Sequence, residues 1–251
     1  MANSSGIRTI SEQVENCYII YDAQLAGQIS TQWFEAEYWR AQGHLQSVAA
    51  GRGQAWFVQR QDQHYVLRHF CRGGLAAKIT ADWYVWTGLR KTRAWREYQL
   101  LVKLQKLGLP APAPIAARVI RHGLFYTADL LTRCIPDSQP LSRVLAQRAL
   151  DDRLWQRIGN CIRAFHEHDI YHADLNAHNI LLNTSDQPYI IDFDKGSVDQ
   201  DRSWQQRNLQ RLLHSLLKLQ ALDPQFHFSE TNWQTLLAGY NEAALSVSKG
   251  Q

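Results

Sequence analysis

The stretch Tyr171-His172-Ala173-Asp174-Leu175-Asn176-Ala177-His178-Asn179-Ile180-Leu181-Leu182, followed by Pro188-Tyr189-Ile190-Ile191-Asp192-Phe193-Asp194-Lys195-Gly196, decides how this chain is read. Asp174 and Asn179 stand five residues apart on a loop, and Asp192 ends an apolar strand eighteen residues after Asp174. Two oxygen ligands on a loop and a strand end can hold Mg²⁺, which takes few protein oxygens and keeps positions for substrate phosphates. A separate carboxylate nearby can accept a proton from an attacking hydroxyl. Positioning, a metal and a base are the parts that phosphoryl transfer requires. His166, His168, His172 and His178 crowd the same region, but they fall on a helix end and a loop without matched ligand spacing, which argues against zinc. Asp174 alone could be an ordinary helix or turn cap. That reading leaves Asn179 and Asp192 unexplained.

Working outward, residues 141–168 read as helix, with Leu154, Ile158, Ile162 and Phe165 on one stripe, and the pattern is helical again from Trp204 to Leu219. Upstream, Trp95, Tyr98, Leu101, Leu104 and Leu107 predict a helix over 92–107 that Gly108 and Pro110 end. Residues 110–131 read as extended chain and two strands. Residues 44–70 read as three short strands with a Gly-containing first turn. Trp33, Phe34, Tyr38 and Trp39 predict a short helix with an aromatic face over 31–42, and a short strand is expected at Tyr18–Tyr21. The fold class is therefore α+β: a β-rich part over residues 1–135, N-terminal extension included, and a helical part over 136–251.

Composition narrows the class further. Hydrophobic residues at 45% and charged residues at 20% of 251 describe a globular chain large enough for one domain or two lobes. No window approaches the roughly eighteen apolar residues a bilayer span needs. Arg8, Glu12 and Glu15 interrupt the N-terminal region where a signal peptide needs an apolar run, so neither secretion nor membrane spanning is expected. Cys17, Cys71, Cys134 and Cys161 form no CxxC pair and read as reduced thiols. The net charge is +4, yet Arg68, Arg72, Lys78, Arg90, Lys91, Arg93 and Arg96 face a single acid, Asp82, in one window. Trp83, Tyr84, Trp86 and Trp95 interleave with those cations. The pattern suits an anionic partner, either a membrane surface or nucleic acid. It equally suits aromatic core under a solvated arginine face.

The motif H-x-D-L-x-x-x-x-N followed by I-I-D-F resembles the catalytic loop and metal-binding Asp of the protein-kinase-like two-lobe fold. That resemblance implies a β-rich nucleotide-binding lobe and a helical catalytic lobe, with ATP and Mg²⁺ as cofactors. It makes Asp174 the catalytic base, His172 its structural support, and Asn179 and Asp192 the Mg²⁺ ligands. Gly51-Arg52-Gly53-Gln54-Ala55-Trp56 is similar to a Gly-rich phosphate loop, although by itself it reads as a hairpin turn. Arg68, in Tyr65-Val66-Leu67-Arg68, stands where that fold places its phosphate-binding lysine, and Glu97 is its expected partner on the following helix. Asp194 replaces the usual glycine. About a dozen residues separate Asp192 from the helix near Trp204, too few for a peptide-docking segment, so a protein substrate is not expected.

The wording HADLNAHNILL, with VLRHFCRGGL, TRAWREYQLL and YTADLLTRCIP upstream, closely resembles the bacterial 3-deoxy-D-manno-octulosonic acid (Kdo) kinases from about Trp33 to the helix after Trp204. The resemblance implies ATP-dependent phosphorylation of the Kdo 4-hydroxyl on Kdo-lipid A, in lipopolysaccharide inner-core assembly at the cytoplasmic face of the inner membrane. No nucleic-acid partner is then expected. Arg72, Arg90, Lys91 and Arg93, with Trp83 and Trp86, become candidates for docking lipid A phosphates or an anionic bilayer, and Lys195 for the Kdo carboxylate. The competing readings are a heptose kinase of the same core, a kinase of soluble small molecules such as antibiotics, and a non-catalytic pseudokinase. Arg68 and Asp194 motivate the last; the intact Asp174, Asn179 and Asp192 argue against it.

Overall fold

The computed structural model describes residues 8–25, 28–48, 54–71 and 82–247. The chain divides into two compact units, one of residues 1–107 with 112–134 and the other of 108–111 with 135–251.

The first unit is built on one antiparallel sheet. Its strands are β1 (Thr9–Val14), β2 (Cys17–Asp22), β3 (Leu45–Val48), β4 (Gln54–Arg60), β5 (Gln63–His69), β6 (Tyr84–Val85), β7 (Pro114–His122) and β8 (Phe125–Arg133). They run in the order β1-β2-β7-β8-β5-β4-β3, with β6 added on β8. Two α-helices accompany it, α1 (Ala36–Ala41) and α2 (Arg93–Lys106). The three strands expected over 44–70 are β3, β4 and β5; Tyr18–Tyr21 falls inside β2. α2 buries the predicted Trp95, Tyr98, Leu101 and Leu104, and its chain leaves through Gly108 at φ +67°, a conformation glycine adopts without strain.

The expected helix over 31–42 is two pieces, a 3-10 turn at Thr31–Phe34 and α1. The interruption is at Glu35, whose backbone is extended (φ −107°, ψ 117°). There its carboxylate meets Arg118 on β7, a buried guanidinium that also donates to Asp129 at 2.8 Å and to the Phe34 carbonyl at 3.3 Å. Burying a cation is costly unless its donors are satisfied, so the chain yields one residue of helix to the ion pair. Trp33, Phe34 and Trp39 bury their rings against Tyr65, Leu67 and Leu131, and the Trp39 indole N–H donates to the Trp33 carbonyl at 2.7 Å.

The second unit is mostly helical. It contains β9 (Ser138–Pro140), α3 (Leu141–Leu145), α4 (Asp152–Glu167), β10 (Ile170–Tyr171), β11 (Ile180–Asn183), β12 (Pro188–Ile190), β13 (Ser197–Val198), α5 (Trp204–Leu222) and α6 (Glu230–Val247). Small ladders order β12-β11-β9 and pair β10 with β13. The single helix expected over 141–168 is split, because the Asp151 carboxylate accepts the Leu154 N–H at 2.8 Å and starts a fresh helix. α4 and α6 approach backbone to backbone. A Cβ on Gly159 would lie 2.0 Å from the Leu236 carbonyl oxygen, and one on Gly239 would lie 2.3 Å from that of Gln156. No helix among the described residues is long and apolar enough to cross a membrane.

Candidate active site

His172, Asp174, Asn179 and Asp192 come together in the second unit through a closed ring of hydrogen bonds. The Asp174 N–H donates to His172 Nδ1 at 3.1 Å, and His172 Nε2 donates to the Ile191 carbonyl at 2.9 Å. The Ile191 N–H donates to the Asn179 carbonyl at 2.9 Å, and Asn179 Nδ2 donates to the Asp174 carbonyl at 2.9 Å. Each bond joins the loop to itself or to the turn after β12, so the ring sets Asp174, Asn179 and Asp192 in one register.

The ring also decides the side-chain chemistry. His172 is buried and uses one nitrogen as acceptor and the other as donor, the pattern of a neutral imidazole protonated at Nε2. Burial pushes its pKa below the usual histidine value, outweighing the Ile191 hydrogen bond that favours the cation. The Asn179 amide nitrogen is committed to the Asp174 carbonyl, which leaves the amide oxygen as the atom to ligate a cation. Asp192, which follows the pinned Ile191 rather than ending the strand itself, is exposed and takes φ +64°. A non-glycine residue in that left-handed region is held there by its surroundings. Phe193 supplies the hold: it is buried, stacks on Phe165 at 5.6 Å and meets the His172 ring edge-on at 4.8 Å.

The Asp174 side chain is exposed and accepts from Asn176 Nδ2 at 3.1 Å and from the Arg211 guanidinium at 3.4 Å. An exposed carboxylate fixed at its backbone suits a proton acceptor for a hydroxyl. The oxygens of the buried Asn179 and the exposed Asp192 are hard donors of the kind Mg²⁺ takes, and few in number, so these residues fit that ion.

Three residues the sequence reading missed hold the loop from α5. Asn208 accepts the His172 N–H at 3.4 Å and donates to its carbonyl at 2.9 Å. Arg211 reaches Asp174, and the Ser215 hydroxyl accepts the Ala177 N–H at 3.2 Å. Their spacing of three and four residues places them on one helical face, and that periodic polar stripe was the available signal. From the other side, Ser142 donates its N–H to the Ala177 carbonyl at 3.0 Å and its hydroxyl meets His178 Nδ1 at 2.8 Å.

In the first unit, Arg68 on β5 pairs with the buried Glu97 of α2, and its guanidinium lies 4.6 Å from the Phe70 ring centroid. Gly51 and Gly53, expected to cradle phosphate, lie outside the described residues, as do Arg72 and Lys78. Arg90 and Lys91 are exposed. Arg93 is engaged internally, its guanidinium on the Tyr84 and Phe70 rings, while Trp86 is half-buried between Tyr18 and Tyr126. Lys195 is exposed in the turn after Asp192. His166 is a core residue: its Nδ1 lies 2.8 Å from the Tyr240 hydroxyl, and burial pushes its pKa down to about 4.

The chain matches the family described as "Lipopolysaccharide kinase (Kdo/WaaP) family" over residues 36–240. A 3-deoxy-D-manno-octulosonic acid kinase of Photobacterium profundum is 42% identical over 90% of this chain and 95% of its own length. One of Vibrio parahaemolyticus is 40% identical over 88% of this chain and 92% of its own. A solved structure of WbdD with a kinase inhibitor aligns with a TM-score of 0.47 at 16% identity, covering 80% of this chain and 45% of that one, too distant to add to the argument.

Proposed function

Because the chain belongs to the lipopolysaccharide kinase (Kdo/WaaP) family and folds as α+β, we propose that it is an ATP-dependent kinase of protein-kinase-like fold that phosphorylates the 4-hydroxyl of Kdo on Kdo-lipid A. The observation that carries the reading is the hydrogen-bonded ring that sets Asp174, Asn179 and Asp192 in register. Identity of about 40% with proteins named Kdo kinases supports Kdo over heptose as the acceptor sugar.

The β-rich first unit binds nucleotide, and the helical second unit carries the chemistry. Asp174 accepts the proton of the sugar hydroxyl as its oxygen attacks the γ-phosphorus; the bond to the bridging oxygen breaks, and its electrons leave with ADP. His172, neutral and buried, acts through the backbone by holding the Asp174 N–H and the Ile191 carbonyl. Arg68, steadied by Glu97, offers donors to ATP phosphate, and Gly51 and Gly53 complete the phosphate cradle. Asn179 and Asp192 would hold Mg²⁺, which neutralises phosphate charge in such transfers. The acceptor is a membrane glycolipid, so the protein works peripherally at the cytoplasmic side of the inner membrane.

Asp174→Ala tests the assignment. The folded variant should lose at least about a hundredfold in turnover, the lower end for a lost general base, while still binding Mg·ATP. Retention of most activity removes Asp174 from its role.

A further inference from the structure

At one end of the first unit's sheet, large apolar side chains face solvent together. The turn between β7 and β8 presents Leu124, which is 76% exposed, and then Phe125. Val85 on β6, 59% exposed, lies directly across the ladder from Phe125. Trp83, one pleat before Val85, sits 5.7 Å from the Phe125 ring and stacks on His122 at 5.2 Å. The neighbouring β1–β2 tip is tied to this end, because Asn16 and Arg121 exchange hydrogen bonds of 2.9 Å through the Asn16 carbonyl and side chain. That tip carries Val14, 67% exposed. Among the described residues, most of the strongly exposed large hydrophobics therefore gather here; Val198, Leu217 and Leu222 lie in the other unit. Apolar residues exposed singly are ordinary, whereas a cluster containing Trp and Phe marks an interaction surface.

The charges around the cluster say what the surface meets. Arg121 lies within it, with its guanidinium 5.1 Å from the Trp86 centroid and its Nε on the Gly123 carbonyl at 2.9 Å. Arg90 and Lys91 are exposed in the 3-10 turn Leu89–Lys91 that follows β6. The acids nearby are Glu15, on the β1–β2 tip, and Asp82, which lies 3.4 Å from His69. Leu124, the most exposed of these residues, stands in the hairpin turn with aromatic rings beside it and cations on its flanks. Apolar turn, amphipathic rings and cations in that arrangement match the depth profile of an anionic lipid surface.

We propose that this sheet end, formed by Val14, Trp83, Val85, Leu124 and Phe125 with Arg90, Lys91 and Arg121, inserts into the headgroup layer of an anionic bilayer. The inference deepens the reading of a kinase acting on a membrane glycolipid. Its decisive residues, Leu124 and Phe125, lie outside the basic stretch of the sequence.

The test is co-sedimentation of the full chain with phosphatidylethanolamine–phosphatidylglycerol vesicles, without ATP or acceptor, so that a failure of the kinase assignment leaves the result untouched. Leu124→Glu, in a turn where it disturbs no strand pairing, and Val85→Glu should each lower the partition coefficient about tenfold or more. Arg90→Gln with Lys91→Gln should weaken binding and flatten its salt dependence. Leu222→Glu, at an exposed position on α5, should bind as the unaltered chain does. Vesicle binding by Leu124→Glu equal to that of the unaltered chain would overturn the proposal. So would an unaltered chain that ignores anionic vesicles, or a self-association that Leu124→Glu dissolves, which would make the tip an interface between copies.

Discussion

Replacing His172 with Phe keeps a buried ring against Phe193 and removes both hydrogen bonds that the imidazole makes. Two backbone groups lose their partners, the Asp174 N–H and the Ile191 carbonyl. An orphaned buried group costs about 1–3 kcal/mol; with Asp174 exposed and Ile191 half-buried, water replaces part of each bond, and about 2–3 kcal/mol in total is expected. Domains are stable by about 5–15 kcal/mol, so the variant remains folded. The catalytic consequence is larger, because Asp174 and Asp192 lose their common tether. A misplacement on the order of 1 Å costs roughly a hundredfold in rate, and kcat should fall by about that factor at saturating Mg·ATP and acceptor. His172→Gln, whose amide offers one donor and one acceptor, should recover part of it. Urea denaturation gives the stability change, and kcat is read where each variant is fully folded. A folded His172→Phe protein turning over at the unaltered rate would refute the positioning role and leave His172 a core residue only.

Arg68→Ala removes the guanidinium that meets Glu97; it should lower stability by about 1–3 kcal/mol and raise the KM for ATP, and adding Glu97→Gln should leave that KM raised. Gly159→Ala forces α4 and α6 apart, because its methyl would overlap the Leu236 carbonyl; a loss of at least about 2 kcal/mol in denaturation is expected. His166 has a folded pKa of about 4 against 6.5 unfolded, so the unfolded chain binds the extra proton between those values. Its contribution is whole above pH 6.5 and is lost as pH falls towards 4, by up to about 1.4 kcal/mol per pH unit. His69 has a raised pKa through Asp129 and acts in the opposite sense, so urea midpoints of the unaltered chain and His166→Phe, compared at pH 7 and 5, isolate the His166 share. The variant should lose less on acidification.

The decisive loop was legible because its chemistry is local: within Tyr171–Gly196, residue type and spacing already named Asp174, Asn179 and Asp192, the resemblance to the kinase-like catalytic loop added His172, and the structure brings these four together. What supports them was not legible. Asn208, Arg211 and Ser215 reach the loop from α5 across some thirty to forty residues of chain, and only a folded helix shows which face they share. β1 went unread because Thr9–Val14 is a polar edge strand, largely exposed and without alternating hydrophobicity. The split of 141–168 turned on one cap, Asp151, which a hydrophobic stripe does not register. The basic window mixed two populations: Arg93 and Trp86 are engaged within the first unit, whereas Arg90, Lys91 and Trp83 face solvent. Their apolar neighbours Leu124 and Phe125 fall in a stretch that reads only as extended chain and two strands, and the pairing of β6 with β8 is what puts Val85 across from Phe125.

The central claim is that a ring-tethered carboxylate directs phosphate from ATP to a Kdo hydroxyl. Purified protein with γ-labelled ATP, presented with Kdo-lipid A, heptosylated lipid A and a soluble aminoglycoside in parallel, tests it directly. Label on the Kdo of Kdo-lipid A, absent with Asp174→Ala, is the predicted result. Label confined to heptose or to the aminoglycoside would contradict the acceptor, and Mg·ATP binding with no transfer to any of the three would contradict the enzyme.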